Sequence, residues 1–487
     1  MSLTASMWTG VSGLKGHGQK MGVIGNNIAN VSTLGFKGSR LHFEDFMSQT
    51  VNTAGGAGQV GRGVTVGTIL GDFSQGALES TNEATDVAIT GNGFFLVSPP
   101  GEEINYYTRA GNFRFDKEGY FIDPHGYRVQ GWGMDGGAIT GVPGDLQLEN
   151  FQSPPAPTEN ISVIANLDSR SEQFNAAAGD IQDAWDGTAV PPIGANNYTY
   201  QSTLRVYDEN GGGHNLTVYF RQREPLGGEN PAGKYWQFIV TCAPDEDMRN
   251  GAAGNAVAGL LFDGEMHFNA AGELADMANL RYYDGAAPPA PQPVAAAHVQ
   301  NGYPLLFADF LGSSQAVGAV FPDDYQPIEL NFGGLLTPAA AFDRPEALAT
   351  TSYSSSSATL FQTQDGYTAG FLQNVSVSRE GVITGRYSNG QVDELFTLTI
   401  GDFNNVWGLR REGGNLFAET RDSGPAYTGI ATTGRFGTVS SNSLELSNVD
   451  LATEFVKMIS TQKGFQANSK TITTTDMMLD EVIRMKR

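Results

Sequence analysis

The sequence has one cysteine, Cys242, among 487 residues, so no disulfide can form within the chain. We interpret Cys242, which ends the strand-like run WQFIVTC, as a buried structural thiol, with a reactive cross-linking thiol as the alternative. The sequence also lacks an apolar run of about eighteen residues, which argues against a transmembrane helix. Its first residues, MSLTASMWTGVSGLKG, carry neither a basic cluster nor a continuous apolar stretch. We therefore expect no cleaved secretory signal, and either a cytoplasmic location or export by another route.

Basic residues are scarce. The chain has 29 Lys and Arg against 52 Asp and Glu, which gives a formal net charge of −23 and a pI of about 4.6. This balance argues against nucleic acid and against anionic membranes as primary partners, because both would repel such a surface.

Recognisable catalytic patterns are missing as well. The six histidines are scattered and none has the HExxH spacing of a zinc site, and no GxSxG nucleophile motif occurs. Residues 56–61 fit GxGxxG, but RGVTVGTIL follows and is typical of a strand, so we expect a flexible glycine-rich loop and no phosphate site. We predict no enzyme, cofactor or metal. The alternative is a secreted enzyme or adhesin acting on carbohydrate, which would need a cleft with paired carboxylates.

Helical patterns are present at both ends of the chain. Near the start, seam positions alternate in steps of four and three over roughly 25 residues. They are Met7, Val11, Leu14, Gly18, Met21, Gly25 and Ile28. The same spacing recurs near the end at Leu451, Phe455, Met458, Gln462, Phe465, Ser469, Ile472, Asp476, Leu479 and Ile483. Asn448 or Ser447 is the expected N-cap of this second helix, whose length is about 55 Å.

Neither terminal helix should be stable alone. Glycine disfavours helix by about 1 kcal/mol relative to alanine, and the first helix contains six glycines, at 10, 13, 16, 18, 22 and 25. We expect both ends to be disordered in the monomer and to fold on assembly. Gly18 and Gly25 lie on the seam, which indicates a closely approaching backbone. An intramolecular two-helix coiled coil is the alternative, but the polar seam residues Gln462, Ser469 and Asp476 favour multi-chain packing or a face that lines a channel.

Between the helices the pattern is β-rich and punctuated by glycine. Tyr387-Ser388-Asn389-Gly390 lies between two alternating runs and predicts a hairpin with a type I′ turn. Similar turn patterns around Gly119, Gly272 and Gly381 predict three further independent hairpins. We therefore predict a mainly β protein with coiled-coil-like terminal α-helices, a discontinuous β domain and an inserted outer β domain.

Changes of composition suggest the domain boundaries. The proline-rich SPPAPT (residues 153–158) is typical of a stiff linker, and a serine cluster at 351–357 marks a second change. We predict four parts: a terminal helical domain (1–31 and 447–487), an extended connecting arm (32–71 and 430–446), a discontinuous β domain (72–151 and 351–429) and an inserted outer β domain with room for subdomains (154–350).

Several stretches resemble the bacterial flagellar rod and hook family of axial proteins. VIGNNIANVSTLGFKGSR resembles its N-terminal signature, and LSNVDLATEFVKMISTQKGFQANSKTITTTDMMLDEVIRMKR its C-terminal one. FSQGALESTNEATDVAITGNGFFLV and YTRAGNFRFDKEGYFIDPHGYRVQGW are similar to the first β domain of that family. QDGYTAGFLQNVSVSREGVITGRYSNGQ and GNLFAET, together with the large insert, favour the hook branch over the shorter rod proteins and the hook–filament junction proteins.

The resemblance implies a structural subunit that polymerises into a flexible helical tube. Such a tube acts as a universal joint and transmits torque from the motor and rod to the filament, outside the cell. Implied partners are many copies of the chain itself, the distal rod protein, the hook–filament junction protein and the hook cap. The flagellar type III export apparatus would export the chain unfolded and without a cleaved signal. Terminal helices would form the inner tube through head-to-tail contacts that do not close.

The stretch NNIANVSTLGFKGSR joins the first helix to the arm. We expect Asn26, Asn27 and the residues up to Thr33 to close the helix, with Asn30 in a left-handed or side-chain-bonded turn. Gly35, Phe36 and Lys37 would then begin the arm. In this interpretation Phe36 is buried against a neighbouring subunit and Lys37 pairs with an acidic one.

Overall fold

The computed structural model describes residues 3–53, 56–102, 104–148, 151–175, 179–284, 290–312 and 325–485. The prediction of a mainly β protein with one helix at each end is confirmed. Of the helices in these ranges, none is both long and apolar enough to cross a membrane.

In the described part of the chain two α-helices flank the strands in sequence, α1 at Leu3–Ala29 and α2 at Leu451–Met485. The strands before the outer unit are β1 Ser39–Asp45, β2 Gln49–Thr53, β3 Gly56–Val60, β4 Val64–Gly71, β5 Leu78–Ser80, β6 Val87–Thr90, β7 Phe94–Ser98, β8 Tyr106–Thr108, β9 Arg114–Phe115, β10 Phe121–Ile122, β11 Arg128–Asp135 and β12 Ala138–Asp145. Those of the outer unit are β13 Gln152–Ser153, β14 Asn160–Asn166, β15 Tyr200–Tyr207, β16 Gly213–Arg223, β17 Lys234–Thr241, β18 Leu260–Phe268, β19 Leu274–Tyr283, β20 Pro291–Pro293, β21 Val299–Gln300, β22 Tyr303–Ala308, β23 Gln326–Asn331, β24 Gly334–Leu336, β25 Phe342–Pro345 and β26 Ala358–Gln364. The remaining strands are β27 Gly370–Val377, β28 Val382–Tyr387, β29 Val392–Asp402, β30 Arg410–Gly413, β31 Leu416–Ala418, β32 Tyr427–Ile430, β33 Thr438–Ser441 and β34 Ser443–Glu445.

The chain divides into two compact units. One, the helical unit, consists of Met1–Phe151 and Leu372–Arg487, and the other, the outer unit, is Gln152–Phe371. Thr351–Phe371 thus belong to the outer unit, whereas the serine cluster placed the sequence-based boundary before them. The reason is strand pairing, because β26 forms an antiparallel ladder with β14.

The described part of the outer unit contains two large sheets, which share one core, and the two-stranded sheet β24–β25. The first is an antiparallel meander in the order β15-β16-β17-β18-β19-β20, and the second has the order β21-β22-β23-β14-β26. Apolar residues of both sheets, such as Phe220, Phe238, Leu306 and Ile328, are fully buried together. Cys242 is also buried, as predicted, and burial raises the pKa of its thiol.

The helical unit has its own β core. β29 pairs antiparallel with β28, β11, β7 and β32, so it lies at the centre of the main sheet. Val87, Phe95, Leu398 and Ile400 are buried in this core. Two shorter ladders, β6 with β33 and β5 with β34, bring the start of the β region next to the segment that leads into α2.

The predicted hairpins are present. Gly119, Gly272 and Gly381 each have positive φ, at 84°, 86° and 79°, in the turns between β9 and β10, β18 and β19, and β27 and β28. The 387–390 hairpin also forms, between β28 and β29, but its turn is not type I′. Gly390 has positive φ (88°) whereas Asn389 does not, so the left-handed residue follows the turn. Residues 56–60 form β3, paired with β2, where we expected a flexible loop.

Candidate functional site: the terminal helix pair and the arm junction

The helices α1 and α2 pack against each other in antiparallel orientation. Positions that nearly touch are Gly10 with Ile472, Gly13 with Asn468, and His17 with Gly464. Further along, the Asn27 side-chain amide donates to a carboxylate oxygen of Glu454 at 3.4 Å. The intramolecular pair that the polar seam residues argued against is therefore present in the structure.

Glycines permit this close approach, but not the predicted ones. A Cβ added at Gly13 would lie 2.6 Å from Oδ1 of Asn468, and one at Gly10 would lie 3.0 Å from Cγ1 of Ile472. Nothing lies within 4 Å of a Cβ built on Gly18 or Gly25. Within the chain those two glycines do not mark the contact, because the contact face of α1 is rotated away from the apolar seam. A close approach to them by another copy stays a prediction.

The contact face is built from small and polar residues. On α2 the buried residues are Glu454, Thr461 and Thr475, which share one heptad position with Asn468. All three polar seam residues lie off this heptad position. Gln462 and Asp476 are exposed and carry no burial cost, and Ser469 is only half-buried. The polar seam residues therefore do not oppose an intramolecular pair.

The predicted seam residues lie mainly towards the outside. Of those on α1, Val11 is 40% exposed and the others are half-buried: Met7, Leu14, Met21 and Ile28. On α2 half-buried positions are Met458, Ile472 and Leu479, and exposed ones are Leu451, Phe455, Phe465 and Ile483. Other exposed apolar residues of α2 are Val456, Ile459, Met477, Met478, Val482 and Met485. Six of these exposed apolar residues lie on one side of α2, within about 120° of its circumference. We call them the outer α2 face: Leu451, Phe455, Ile459, Phe465, Met477 and Ile483.

Polar residues end α1 and begin α2. Asn30 donates from its side-chain amide to the Asn26 carbonyl oxygen at 2.8 Å, which is the side-chain-bonded turn that we expected. The left-handed residue comes later, at Gly35 (φ 65°). At the other helix, Asp450 accepts from the Thr453 backbone N–H at 2.6 Å and is the N-cap. The prediction of Asn448 or Ser447 is wrong, because Asn448 binds the arm instead.

The arm and the start of α2 meet at a buried ion cluster. Lys37 Nζ donates to Glu445 Oε1 at 2.6 Å and to the Ser74 carbonyl oxygen at 2.7 Å. Arg109 approaches the other Glu445 oxygen at 3.2 Å, and the Gly76 backbone N–H donates to Oε1 at 2.8 Å. Lys37, Arg109 and Glu445 are each at most 5% exposed. Burial lowers the pKa of Lys37 and of Arg109, and the charge of Glu445 opposes both shifts.

Asn448 adds a second set of bonds to this cluster. Its side-chain amide donates to the carbonyl oxygens of Asp72, at 2.8 Å, and Ser74, at 3.1 Å. Its Oδ1 accepts from the Gly38 backbone N–H at 2.8 Å. We call these bonded residues the arm junction: Gly38, Lys37, Asp72, Ser74, Gly76, Arg109, Glu445 and Asn448.

Phe36 and Lys37 are buried within their own chain. Arg411 lies over the Phe36 ring, 5.7 Å from its centroid, and donates to the Lys37 carbonyl oxygen at 2.7 Å. The acidic partner of Lys37 is Glu445, 408 residues away in sequence. We expected both side chains to contact a neighbouring subunit, and the structure satisfies them internally instead.

Asn27 joins the end of α1 to the arm. Its side chain exchanges two hydrogen bonds with the backbone of Ser39, at 2.8 and 2.9 Å, in addition to its contact with Glu454. Sequence reasoning grouped Asn27 with the turn, and it missed Glu445, Arg109 and Glu454 altogether. No local signal marks Glu445, because the alternation in SLELSN predicts Leu444 and Leu446 on the buried face and Glu445 on the exposed one, whereas Glu445 is the buried residue.

No chemistry of a metal or an active centre is apparent at this site. In the ranges given above, no group of three or more His, Cys, Asp and Glu side chains could hold a metal ion. The site consists of an exposed apolar surface on α2 and a buried polar cluster, the arm junction, just before the start of that helix.

Four family models match the chain in order. "Flagella basal body rod protein" matches residues 7–37, and "Flagellar hook protein FlgE/F/G D1 domain" matches 88–167. "Flagellar basal body protein FlaE D2 domain" matches 166–367, and "Flagellar basal body rod FlgEFG protein C-terminal" matches 440–485. The first and last of these models cover most of the terminal helix pair.

Relatives match over nearly the whole length. The chain is 33% identical to the flagellar hook protein FlgE of Treponema pallidum over 505 aligned residues, with 99% of each chain covered. It is also 33% identical to that of Borreliella burgdorferi, again with 99% of each covered. Its identity to the Escherichia coli protein of the same name is 29%, with 98% of each covered. Among solved structures, the Helicobacter pylori flagellar hook protein FlgE2 is 14% identical with a TM-score of 0.46, covering 75% of this chain and all of that one.

Proposed function

This chain belongs to the flagellar hook protein family, and from that premise we propose that the outer α2 face is the surface through which its copies polymerise. Its role is that of a structural subunit of the bacterial flagellar hook, and not that of an enzyme. The family places it in the flagellar hook, in an axial structure built from copies of itself.

The single observation that carries the proposal is the orientation of the helix pair. α1 covers only the small, polar face of α2, and the outer α2 face remains exposed. Fully burying one large apolar side chain stabilises a structure by about 1.5–3 kcal/mol, and part of that gain is available at each of these residues. A second copy of the chain is the natural cover, because a subunit that repeats head to tail presents the same surface at every step.

Several finer features belong to the same proposal. The copies form a flexible helical tube that bends as a universal joint and transmits torque, with the helix pair in the inner wall. The tube connects to the distal rod protein and to the hook–filament junction protein, with a hook cap guiding assembly. Subunits leave the cell through the flagellar type III export apparatus. The single buried cysteine supports this route, since no intrachain disulfide has to form after export.

The predicted fourfold division fits this assembly. The helical domain (1–31 and 447–487) lines the tube, and the arm (32–71 and 430–446) leads outward. The β domains, predicted at 72–151 with 351–429 and at 154–350, face the medium, with residues 351–371 moved to the inserted domain because β26 pairs with β14. What supports the arm as a separate part is that β1 and β4 form a two-stranded sheet of their own, which no strand pairing joins to the main β sheet among the described residues.

Electron microscopy of concentrated purified protein tests the proposal. We expect tubes from the full-length chain and none from a chain that lacks both terminal segments. A sharper comparison replaces Phe455 and Ile459 by Gln, with Phe455→Leu and Ile459→Leu as a control that keeps both exposed positions apolar. The first pair should abolish tubes or raise the critical concentration at least tenfold, and the control pair should leave it within about twofold. Equal polymerisation by the truncated chain or by the first pair would refute the role of the outer α2 face.

A further inference from the structure

The arm junction brings together four chain segments that are far apart in sequence. Glu445 receives hydrogen bonds from Lys37, Gly76 and Arg109, and its backbone oxygen accepts from the Gly35 N–H at 2.7 Å. Asn448, just before α2, binds the arm and the loop after β4. The segment that follows α1 and the segment that precedes α2 are thus bonded to each other and to the same part of the helical unit.

The backbones at this point are too close for larger residues. A Cβ on Gly35, whose φ is 65°, would lie 2.6 Å from the Ala110 backbone nitrogen. A Cβ on Gly76 would lie 2.0 Å from the Leu446 carbonyl oxygen. Because backbone atoms cannot move aside as a flexible side chain can, these contacts fix the segments in one arrangement.

The electrostatics also favour a single arrangement. Two cations, Lys37 and Arg109, share one carboxylate in a site where all three side chains are at most 5% exposed. Arg109 additionally donates to the carbonyl oxygens of Ile89, at 3.3 Å, and Gly91, at 2.7 Å. Partial opening would leave buried charges unpaired, so intermediate positions are disfavoured. A cluster of this kind is a rigid lock and not a soft hinge.

We propose that the arm junction is a mechanical lock that fixes the direction in which the helix pair leaves the β sheet of the helical unit. The lock acts through the Glu445 carboxylate and the Asn448 amide. The lock depends on the proposed function in one respect: it would keep the outer α2 face oriented to bind the next subunit. Bending of the tube then takes place at other points, because the helices and this sheet move together.

Hydrogen exchange measured by mass spectrometry on the full-length monomer tests the lock. In Glu445→Gln the carboxylate is lost while the shape is kept, so Lys37 and Arg109 remain buried without a counter-charge. We expect exchange in the segments around residues 33–40, 72–78 and 443–450 to become at least tenfold faster, whereas β7 and β29 keep their protection. Glu118→Gln is the control for charge, because Glu118 is exposed and pairs only loosely with Lys117 at 3.5 Å. It should leave all segments within about twofold.

Asn448→Ala gives a second variant that buries no unpaired charge. It removes the bonds to Asp72, Ser74 and Gly38, and we expect the same segments to exchange several-fold faster. Unchanged exchange at the junction in both variants would overturn the lock. So would an equal loss of protection in β7 and β29, because Glu445 would then stabilise the whole β core and not the junction in particular. The measurement needs no polymer, so a failure of the full-length chain to form tubes would refute the proposed function and leave this test intact.

Discussion

At the scale of single residues, the six glycines of α1 fall into two groups with opposite roles. Gly10, Gly13 and Gly16 lie where a Cβ would come within 3.0 Å of a neighbouring side chain, whereas Gly18, Gly22 and Gly25 have open space around them. The first group is required by packing within the chain. The second group has no such requirement here, so its cost to helix stability is unopposed in the monomer.

This difference predicts opposite effects for one matched pair of substitutions. Gly18→Ala should stabilise α1 by about 1 kcal/mol, since alanine is the better helix former. Gly13→Ala should destabilise the helix pair by about 1–3 kcal/mol, because the new methyl group displaces Asn468 from its 2.9 Å bond to the Gly464 carbonyl oxygen. Hydrogen exchange of α1 and α2 in dilute monomer measures both changes. Equal protection in the two variants would show that the helices do not pack as the structure has them.

At the scale of elements, periodicity located both helices but not their contacts. Alternating steps of four and three predicted the ends of α1 and α2 to within a few residues, because apolar residues at this spacing fall on one side only if the segment is helical. The same stripe does not say what covers it, and within the chain the two helices meet along a neighbouring face of small and polar residues. The cap of α2 shows a similar limit. Asn448 and Asp450 both have side chains that are suitable for an N-cap. Because the Asn448 side chain is hydrogen-bonded to Asp72, Asp450 is the residue that caps α2.

The arm junction could not be predicted for a different reason. Its two cations and its carboxylate are separated by hundreds of positions, and no local pattern pairs Lys37 with Glu445. Hairpins, in contrast, were predicted correctly around Gly119, Gly272 and Gly381, since a turn depends on neighbouring residues that the sequence shows directly.

The helix pair also carries a titratable group at its contact. His17 faces Gly464 and packs edge-on against Phe43, and its Nδ1 is buried without a hydrogen-bond partner. Burial, assisted by the charge of Lys20, lowers the pKa of His17. The separated helices therefore take up a proton at a higher pH than the packed pair does. The stability of the pair should be complete above about pH 6.5 and should fall as the pH decreases below it.

Circular dichroism and hydrogen exchange between pH 5 and pH 8 measure this effect. In the unchanged chain, protection of α1 and α2 should decrease on acidification, whereas His17→Gln should remove that part of the slope. Lys20→Gln is the matched control, because it takes away the assisting charge but keeps the imidazole, and should reduce the slope without removing it. A His17→Gln variant with the same acid sensitivity as the unchanged chain would contradict the assignment.

At the scale of the whole molecule, two separate cores predict two unfolding steps. Leu398 is fully buried in the core of the helical unit, and Phe238 is fully buried in the core of the outer unit. Truncating such a residue to alanine lowers the free energy of unfolding by about 2–5 kcal/mol, which lowers the Tm of a domain of this size by on the order of 10 °C.

Calorimetry of the full-length chain should show two transitions, with Leu398→Ala lowering the Tm of one and Phe238→Ala lowering the Tm of the other. Val142→Ala, at a position 83% exposed, should move neither transition. If either core variant lowers both transitions by the same amount, the two units unfold as one and the division of the chain at residues 152 and 371 has no thermodynamic meaning.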